Sequence, residues 1–265
     1  MPYTKKKPSK TGKKLYKSLK KAIVPQSIKT YVNKTIHRQI ENKIADFHYN
    51  GDVMYNITNN PTQWTGNNII YLSPNSASLN GVAIIQGTGQ DERIGNKIRI
   101  MKAMLSAVIY PVDELAVDKP LDVNFYICNF KQANTNTDVS TICTNKFFQD
   151  GSTSLGLSGT LADNVLRVNN DLVRCYRKFT KKLGPAMNDT NQKFINNDYK
   201  YHQQFTLDVT KYLKSVYTFN DTDQPPIDPF VCLIVSPVPC DNVLDGPDEN
   251  RCFITYTVEL TYEDA

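Results

Sequence analysis

Histidine is scarce in this chain, and the three present, His37, His48 and His202, fall on separate stretches without His-x-His or His-Glu-x-x-His spacing. The six cysteines, Cys128, Cys143, Cys175, Cys232, Cys240 and Cys252, form no Cys-x-x-Cys pair and have no His at metal-finger spacing. They therefore read as reduced and mostly buried, with neither a zinc site nor a redox motif indicated. A cupin-type centre would need clustered His and Glu on adjoining strands, and that pattern is missing. Gly87-Thr88-Gly89 lacks the third glycine of a dinucleotide fingerprint and the Gly-Lys-Ser/Thr end of a phosphate loop, so it reads as a turn. The expectation is a protein without a catalytic residue, metal or cofactor. No apolar run reaches the roughly 18 residues of a membrane span. With no signal-peptide pattern, the chain is expected to be intracellular, and the Asn-x-Thr matches at Asn33, Asn56, Asn188 and Asn220 are chance.

Acids are also scarce at the start. Residues 1–24 hold nine lysines and no Asp or Glu. Residues 1–43 carry +12, from twelve Lys and Arg38 against Glu41, and the other 222 residues carry −7, which together give the net +5. A basic segment joined to an acidic body suits a protein that must neutralise a polyanion with one part and stay soluble with the other. Residues 1–24 are expected to be mobile without a partner. Leu15, Leu19 and Ile23, then Ile28, Val32, Ile36, Ile40 and Ile44, recur every four residues, interrupted by Pro25. That spacing predicts a helix with Ser27 as N-cap, running to about Lys43. Its apolar stripe either packs on the body or folds only against nucleic acid or a neighbouring subunit.

From residue 46 the apolar period changes from near four to two, which predicts an all-β body of one domain: basic arm 1–45, β-sandwich body 46–265. Cys252–Tyr262 alternates most clearly, with Ile254, Tyr256, Val258, Leu260 and Tyr262 on one face and Thr255, Thr257, Glu259 and Thr261 on the other. Tyr199–Val209 alternates likewise, placing Tyr201, Phe205, Leu207 and Val209 inward. Lys97–Tyr110 and Phe230–Val235 are apolar on both faces, as central strands are. With Phe47–Ile57, Leu121–Phe130, Leu172–Leu183 and Ser215–Phe219 these make eight strands, the number of a jelly-roll sandwich. Asn68–Leu72 and Val82–Gln86 read as extra short strands inside a long connection over 58–96, and 131–171 is a second long connection. Turns are marked at Asn50-Gly51, Gly184-Pro185, Pro225-Pro226, Pro237-Val238-Pro239 and Asp245-Gly246-Pro247.

Several short segments recur together in one family: the basic arm, Gln86-Gly87, then Arg93-Ile94-Gly95-Asn96-Lys97-Ile98 leading into a long strand, Ile227-Asp228-Pro229-Phe230 opening another, and Phe253 to Asp264 at the close. In these the chain resembles the capsid proteins of circular, Rep-encoding single-stranded DNA viruses, the circovirus and geminivirus kin. The departure is an arm of lysine where that family's arms are often arginine-rich. The resemblance implies a single jelly roll that self-assembles into a small icosahedral T=1 shell of about 60 copies, with the arm inside on the DNA. It implies virion and host nucleus as locations, and a host import receptor as a partner. At about 60 subunits, arms of roughly +12 supply about 700 positive charges, a sensible fraction of the phosphates in a strand of one to a few kilobases.

Lys5, Lys6, Lys7, Lys10, Lys13, Lys14, Lys17, Lys20 and Lys21 are the expected phosphate-binding set. Lysine is a point charge on a flexible stem, so it neutralises backbone without reading bases. Lys5, Lys6, Lys7, Lys13 and Lys14 double as a nuclear-localisation signal. A second basic run spans 174–182. Alternation puts Arg174, Tyr176, Lys178 and Lys182 on one face, able to stack a base and bind its phosphates or, as the blander alternative, to meet a neighbour's carboxylates. The alternative function is a non-assembling nucleic-acid- or ligand-binding β-sandwich accessory protein. For the capsid, subunit contacts are expected in 58–96 and 131–171. Exchanging 131–171 for a short linker is expected to leave a folded, soluble monomer.

Overall fold

The computed structural model describes residues 42–75, 80–89, 91–111, 120–133, 135–184, 200–219, 229–240 and 251–264, together with Pro25, Ser27 and Ile28. The chain divides into two compact units, Met1–Glu41 and Asn42–Ala265. All the expected arm lysines, and most of the expected helix over 27–43, lie outside the described residues. Lys43 and Ile44 already belong to a strand, and Ile44 is exposed there.

Among the described residues of the second unit there are thirteen strands: β1 (Lys43–Met54), β2 (Ile69–Asn75), β3 (Gly81–Ala83), β4 (Lys97–Pro111), β5 (Leu121–Phe130), β6 (Phe148–Asp150), β7 (Thr153–Leu155), β8 (Arg167–Val168), β9 (Val173–Leu183), β10 (Gln203–Asp208), β11 (Val216–Thr218), β12 (Val231–Pro239) and β13 (Cys252–Asp264). One sheet has the order β1-β13-β4-β10, with the short β11 also on β4, and the other β3-β2-β12-β5-β9. Setting aside the short strands, the eight remaining pair antiparallel as first with eighth, second with seventh, third with sixth and fourth with fifth. That nesting of ends around a middle hairpin defines a jelly roll.

The number eight agrees with the sequence reading, but the membership differs. Ile69–Asn75 is a main strand, buried at Ile69 through Ser73, where a short extra strand was expected. Ser215–Phe219 instead supplies only the three-residue β11. Two expected turns lie inside strands: Asn50-Gly51 is a bulge within β1, allowed by φ 74° at Gly51, and Pro237-Val238-Pro239 continues β12 beyond Ile234, the last residue paired with β2. Tyr201, expected inward, is 63% exposed, because β10 begins only at Gln203.

Between the sheets lies the larger apolar cluster, with Leu105, Ile109, Phe125, Ile127, Leu233, Val235, Ile254, Tyr256 and Val258 at its centre. A second cluster covers the other face of the β2/β12/β5/β9 sheet. It is built from Trp64 on α1 (Pro61–Asn67), Val139, Ile142 and Cys143 on α2 (Asn136–Asn145), and Phe147, Phe148 and Leu157 beyond it, against Tyr126, Phe130 and Ile234. Both helices are capped by their own sequence. The Asn60 side chain accepts from Gln63 N ahead of Pro61, and Thr135 with Asp138 forms a reciprocal capping box. The segment 131–171, expected as a contact loop, is thus a structured cover.

Buried polar groups tie this cover to the strands. Asn56 Nδ2 donates to Gly159 O at 2.7 Å and to Pro237 O at 2.9 Å. Asp163, fully buried, accepts from Ser158 N, Ser158 Oγ and Gly159 N. Gly159 adopts φ 64° against the Asn56 amide, where a Cβ would meet Asn56 Oδ1 at 2.5 Å, so two constraints favour glycine. The Arg93-Ile94-Gly95 motif proves to be a loop anchor. Arg93 is fully buried, donates to Gly95 O and Asn96 Oδ1, and lies 4.3 Å from the Phe219 ring. Beside it Lys43 pairs with Asp264 at 2.9 Å, fastening the start of β1 to the end of β13.

Candidate nucleic-acid interface

The basic run of β9 lies on the edge of its sheet, and a bulge decides where its side chains point. Cys175 stands opposite Cys128 and Arg177 opposite Ile127, so Tyr176 is an extra residue on β9. One inserted residue reverses the alternation beyond it. Tyr176 and Phe179 therefore both pack toward the inter-sheet core, and Arg174, Arg177 and Lys181 lie over the rings of Tyr176, Phe179 and Phe205. The single face expected for Arg174, Tyr176, Lys178 and Lys182 is corrected by this bulge: the last two lie on the opposite face.

There Lys178 Nζ donates to Asp163 O at 3.0 Å and Asn164 O at 3.2 Å, and lies 5.1 Å from the Tyr126 ring. Burial lowers its pKa, countered by the nearby Asp163 carboxyl. This lysine serves to hold the Leu161–Asn164 turn against β9. The backbone carbonyl of Lys182 accepts from Gln203 Nε2, joining β9 to the start of β10.

Arg174 and Tyr176 instead line an open cavity of about 340 Å³, together with Asn129, Lys211, Tyr212 and Lys214, floored by Tyr217 and Val231. Tyr176 and Tyr212 stack with centroids 5.3 Å apart and planes 25° apart. Arg174 lies 5.1 Å from the first ring and Lys211 5.0 Å from the second. No acidic residue is among those lining the cavity. Cation–π contacts at exposed sites contribute only about 0.5–1 kcal/mol, so a phosphate can draw these cations off the rings. A ring face so released can stack a base for about 1–3 kcal/mol.

Lys211, Tyr212 and Lys214 were not singled out from sequence. Their signal is the same interleaving of cation and aromatic, in Lys211-Tyr212-Leu213-Lys214, that marks 174–182. Among the described residues β9 is the last strand of its sheet, and cations along such an edge oppose the addition of a stranger's strand. Among the described residues no group of three or more His, Cys, Asp or Glu is arranged to hold a metal ion, and no helix is long and apolar enough to cross a membrane.

No protein-family model matches the chain, and no curated protein matches it. Among solved structures it is similar to one of Desmodium yellow mottle tymovirus, at 10% identity and TM-score 0.26, covering 85% of this chain and 89% of that one. It is also similar to a KBV activated particle at acidic pH, at 13% identity and TM-score 0.28, covering 83% of this chain and 69% of the other.

Proposed function

We propose that this chain is the coat protein of a small single-stranded DNA virus, a jelly-roll subunit that self-assembles and packages its genome through the lysine-rich arm. The observation that carries the reading is a union of two features: nested eight-strand pairing, and a +12 segment leading directly into the first strand. The fold alone hosts many functions, and the arm alone marks any polyanion binder; together they describe a wall with a counterion supply. The cavity of Arg174, Tyr176, Lys211 and Tyr212 supplies a second, weaker contact for the strand.

The deciding experiment is expression of the full chain, followed by sizing chromatography and negative-stain microscopy. Uniform spheres of about 60 copies are expected, each copy held by several heterologous contacts that close on themselves. A species running near 30 kDa at every ionic strength overturns the proposal and favours the accessory-protein alternative. Deleting residues 1–24 should remove most affinity for single strands while shells still form, at higher salt, where carboxylate repulsion is screened. Log affinity should fall with log salt at a slope of about −0.7 per phosphate neutralised, and an unchanged slope after truncation counts against the arm. Residues 1–24 fused to a fluorescent reporter should enter nuclei; diffuse cytoplasmic signal counts against the import signal.

A further inference from the structure

Four of the six cysteines converge beneath the cover of the second sheet. Cys175 of β9 stands directly opposite Cys128 of β5, and Cys128 directly opposite Cys232 of β12, so three thiols form a row across three neighbouring strands. Cys143 of α2 packs in the same apolar cluster. Within the row, the Cys128 thiol is hydrogen-bonded to the Cys175 sulfur. Cys128, Cys143 and Cys232 are buried, whereas Cys175 is only half-buried.

We propose that Cys175 and Cys128 form a redox-modification site, at which a small-molecule disulfide of the glutathione type converts the two thiols into a cross-strand disulfide. Opposed residues of an antiparallel pair hold their Cβ atoms about 4.5–5.5 Å apart, and a disulfide needs about 3.5–4.5 Å. The bulge at Tyr176, immediately beside Cys175, supplies the local freedom to close that gap. Electronics favour the same order of attack. The hydrogen bond from Cys128, and secondarily the Arg177 backbone hydrogen bond and the Lys178 charge, lower the Cys175 pKa against its burial. Burial pushes the Cys128, Cys143 and Cys232 thiols up, so none of these starts the reaction.

Cys175 loses its proton to solvent, and its thiolate attacks one sulfur of the oxidised reagent. The reagent's S–S bond breaks, one reagent thiolate leaves, and Cys175 carries a mixed disulfide. Cys128 then gives up its proton and attacks the Cys175 sulfur, expelling the second reagent thiolate. Two protein thiols are oxidised, and one reagent disulfide is reduced to two thiols that take up the two protons.

The position gives the bond its use. β5 ends at Phe130 and β9 begins at Val173, so the crosslink closes the 131–172 segment at its root. If the chain is a coat protein, it would be made reduced inside a cell and locked on release, a consequence that rests on the proposed function whereas the crosslink does not.

The full-length protein, incubated with excess oxidised glutathione, then denatured, alkylated and peptide-mapped by mass spectrometry, tests the site. Expected are the loss of two alkylatable thiols, a Cys128–Cys175 linked peptide, and a melting temperature raised by roughly 5 °C or more that dithiothreitol reverses. Cys240→Ser, which removes the other half-buried thiol, should keep the linked peptide, and Cys175→Ser should lose it. A lasting glutathione adduct on Cys175 with Cys128 still alkylatable, an unreacted Cys175, or a crosslink to any other cysteine overturns the proposal. None of these results bears on shell formation, which microscopy reads separately.

Discussion

The two sheets of the sandwich obey different rules. In the β1-β13-β4-β10 sheet one face meets the core and the other meets water, and β13 alternates accordingly between buried residues and Phe253, Thr255, Thr257 and Glu259. Its wet face is stitched by hydroxyls: His48 Nδ1 to Thr257 Oγ1 at 3.0 Å, and Ser106 Oγ to Thr206 Oγ1 at 3.2 Å. In the other sheet both faces are covered, and β12 is buried at every position from Val231 to Pro239. Strict alternation therefore marks a strand facing solvent on one side, and an unbroken apolar run marks one with a lid. The lid here is made from what looked like connections.

The most damaging way to break this contrast is to remove the lid. Replacing 131–171 by a short Gly/Ser linker would strip Val139, Ile142, Phe147, Phe148 and Leu157 from Tyr126, Phe130 and Ile234. The expected product is insoluble protein, read as loss from the soluble fraction, and not the soluble monomer the sequence suggested. Next in size is Phe125→Ala. Phe125 stacks on Phe179 at 4.9 Å and meets Phe205 edge-on at 5.0 Å, so it joins both sheets. A cost of about 3–5 kcal/mol is expected, seen as a lower urea midpoint with unchanged slope.

Asp52 sharpens the comparison, because it puts a carboxyl on the buried side of the otherwise half-wet sheet, opposite Ile254. Burial raises its pKa from 3.8 to about 6, against the lowering effect of a hydrogen bond from the Val53 backbone. Asn67 Nδ2 also donates to it at 2.8 Å. The folded state therefore holds this proton more tightly than the unfolded chain. Stability from this group is lost as pH rises through about 6, and regained as pH falls from there toward 3.8. Asp52→Asn should stabilise by about 1–2 kcal/mol at pH 7.5, discounted for partial solvation of the carboxyl, and by nearly nothing at pH 4. Denaturant titrations at both pH values check this. The smallest effect should come from Thr206→Val on the wet face, within about 0.5 kcal/mol, since water replaces the lost Ser106 contact.

What could be read beforehand follows the same division. β13, β5 and β12 declare themselves because alternation and long apolar runs reflect burial directly. β2 did not, because Ile69-Ile70-Tyr71-Leu72 is short and is followed by Pro74, so periodicity could not separate a lidded strand from a loop element. The Thr135…Asp138 and Asn60-Pro61 pairs were readable helix starts inside the two long connections. At the cavity, Arg174 and Tyr176 lie together as residues the sequence singled out, but Lys178 and Lys182, expected beside them, lie on the other face. Nothing in the residues of β9 announces that Tyr176 is inserted, since a bulge is set by the partner strand's register, here by Cys128 and Ile127. Lys211 and Tyr212 join them only because β10 runs beside β4 and returns its turn to the mouth of β9.

The nested pairing also sets a schedule. β1 finds its ladder partner only in β13, some two hundred residues later, and β2 waits for β12. During synthesis the middle hairpin of β5 and β9 is the first main pair that can close, and the outer pairs must follow it inward to outward. Such distant pairing makes folding slow, in milliseconds to seconds, and leaves one edge of β4 waiting for β13. Of the main strands, the first to be made is thus the last to be fastened, when Lys43 meets Asp264.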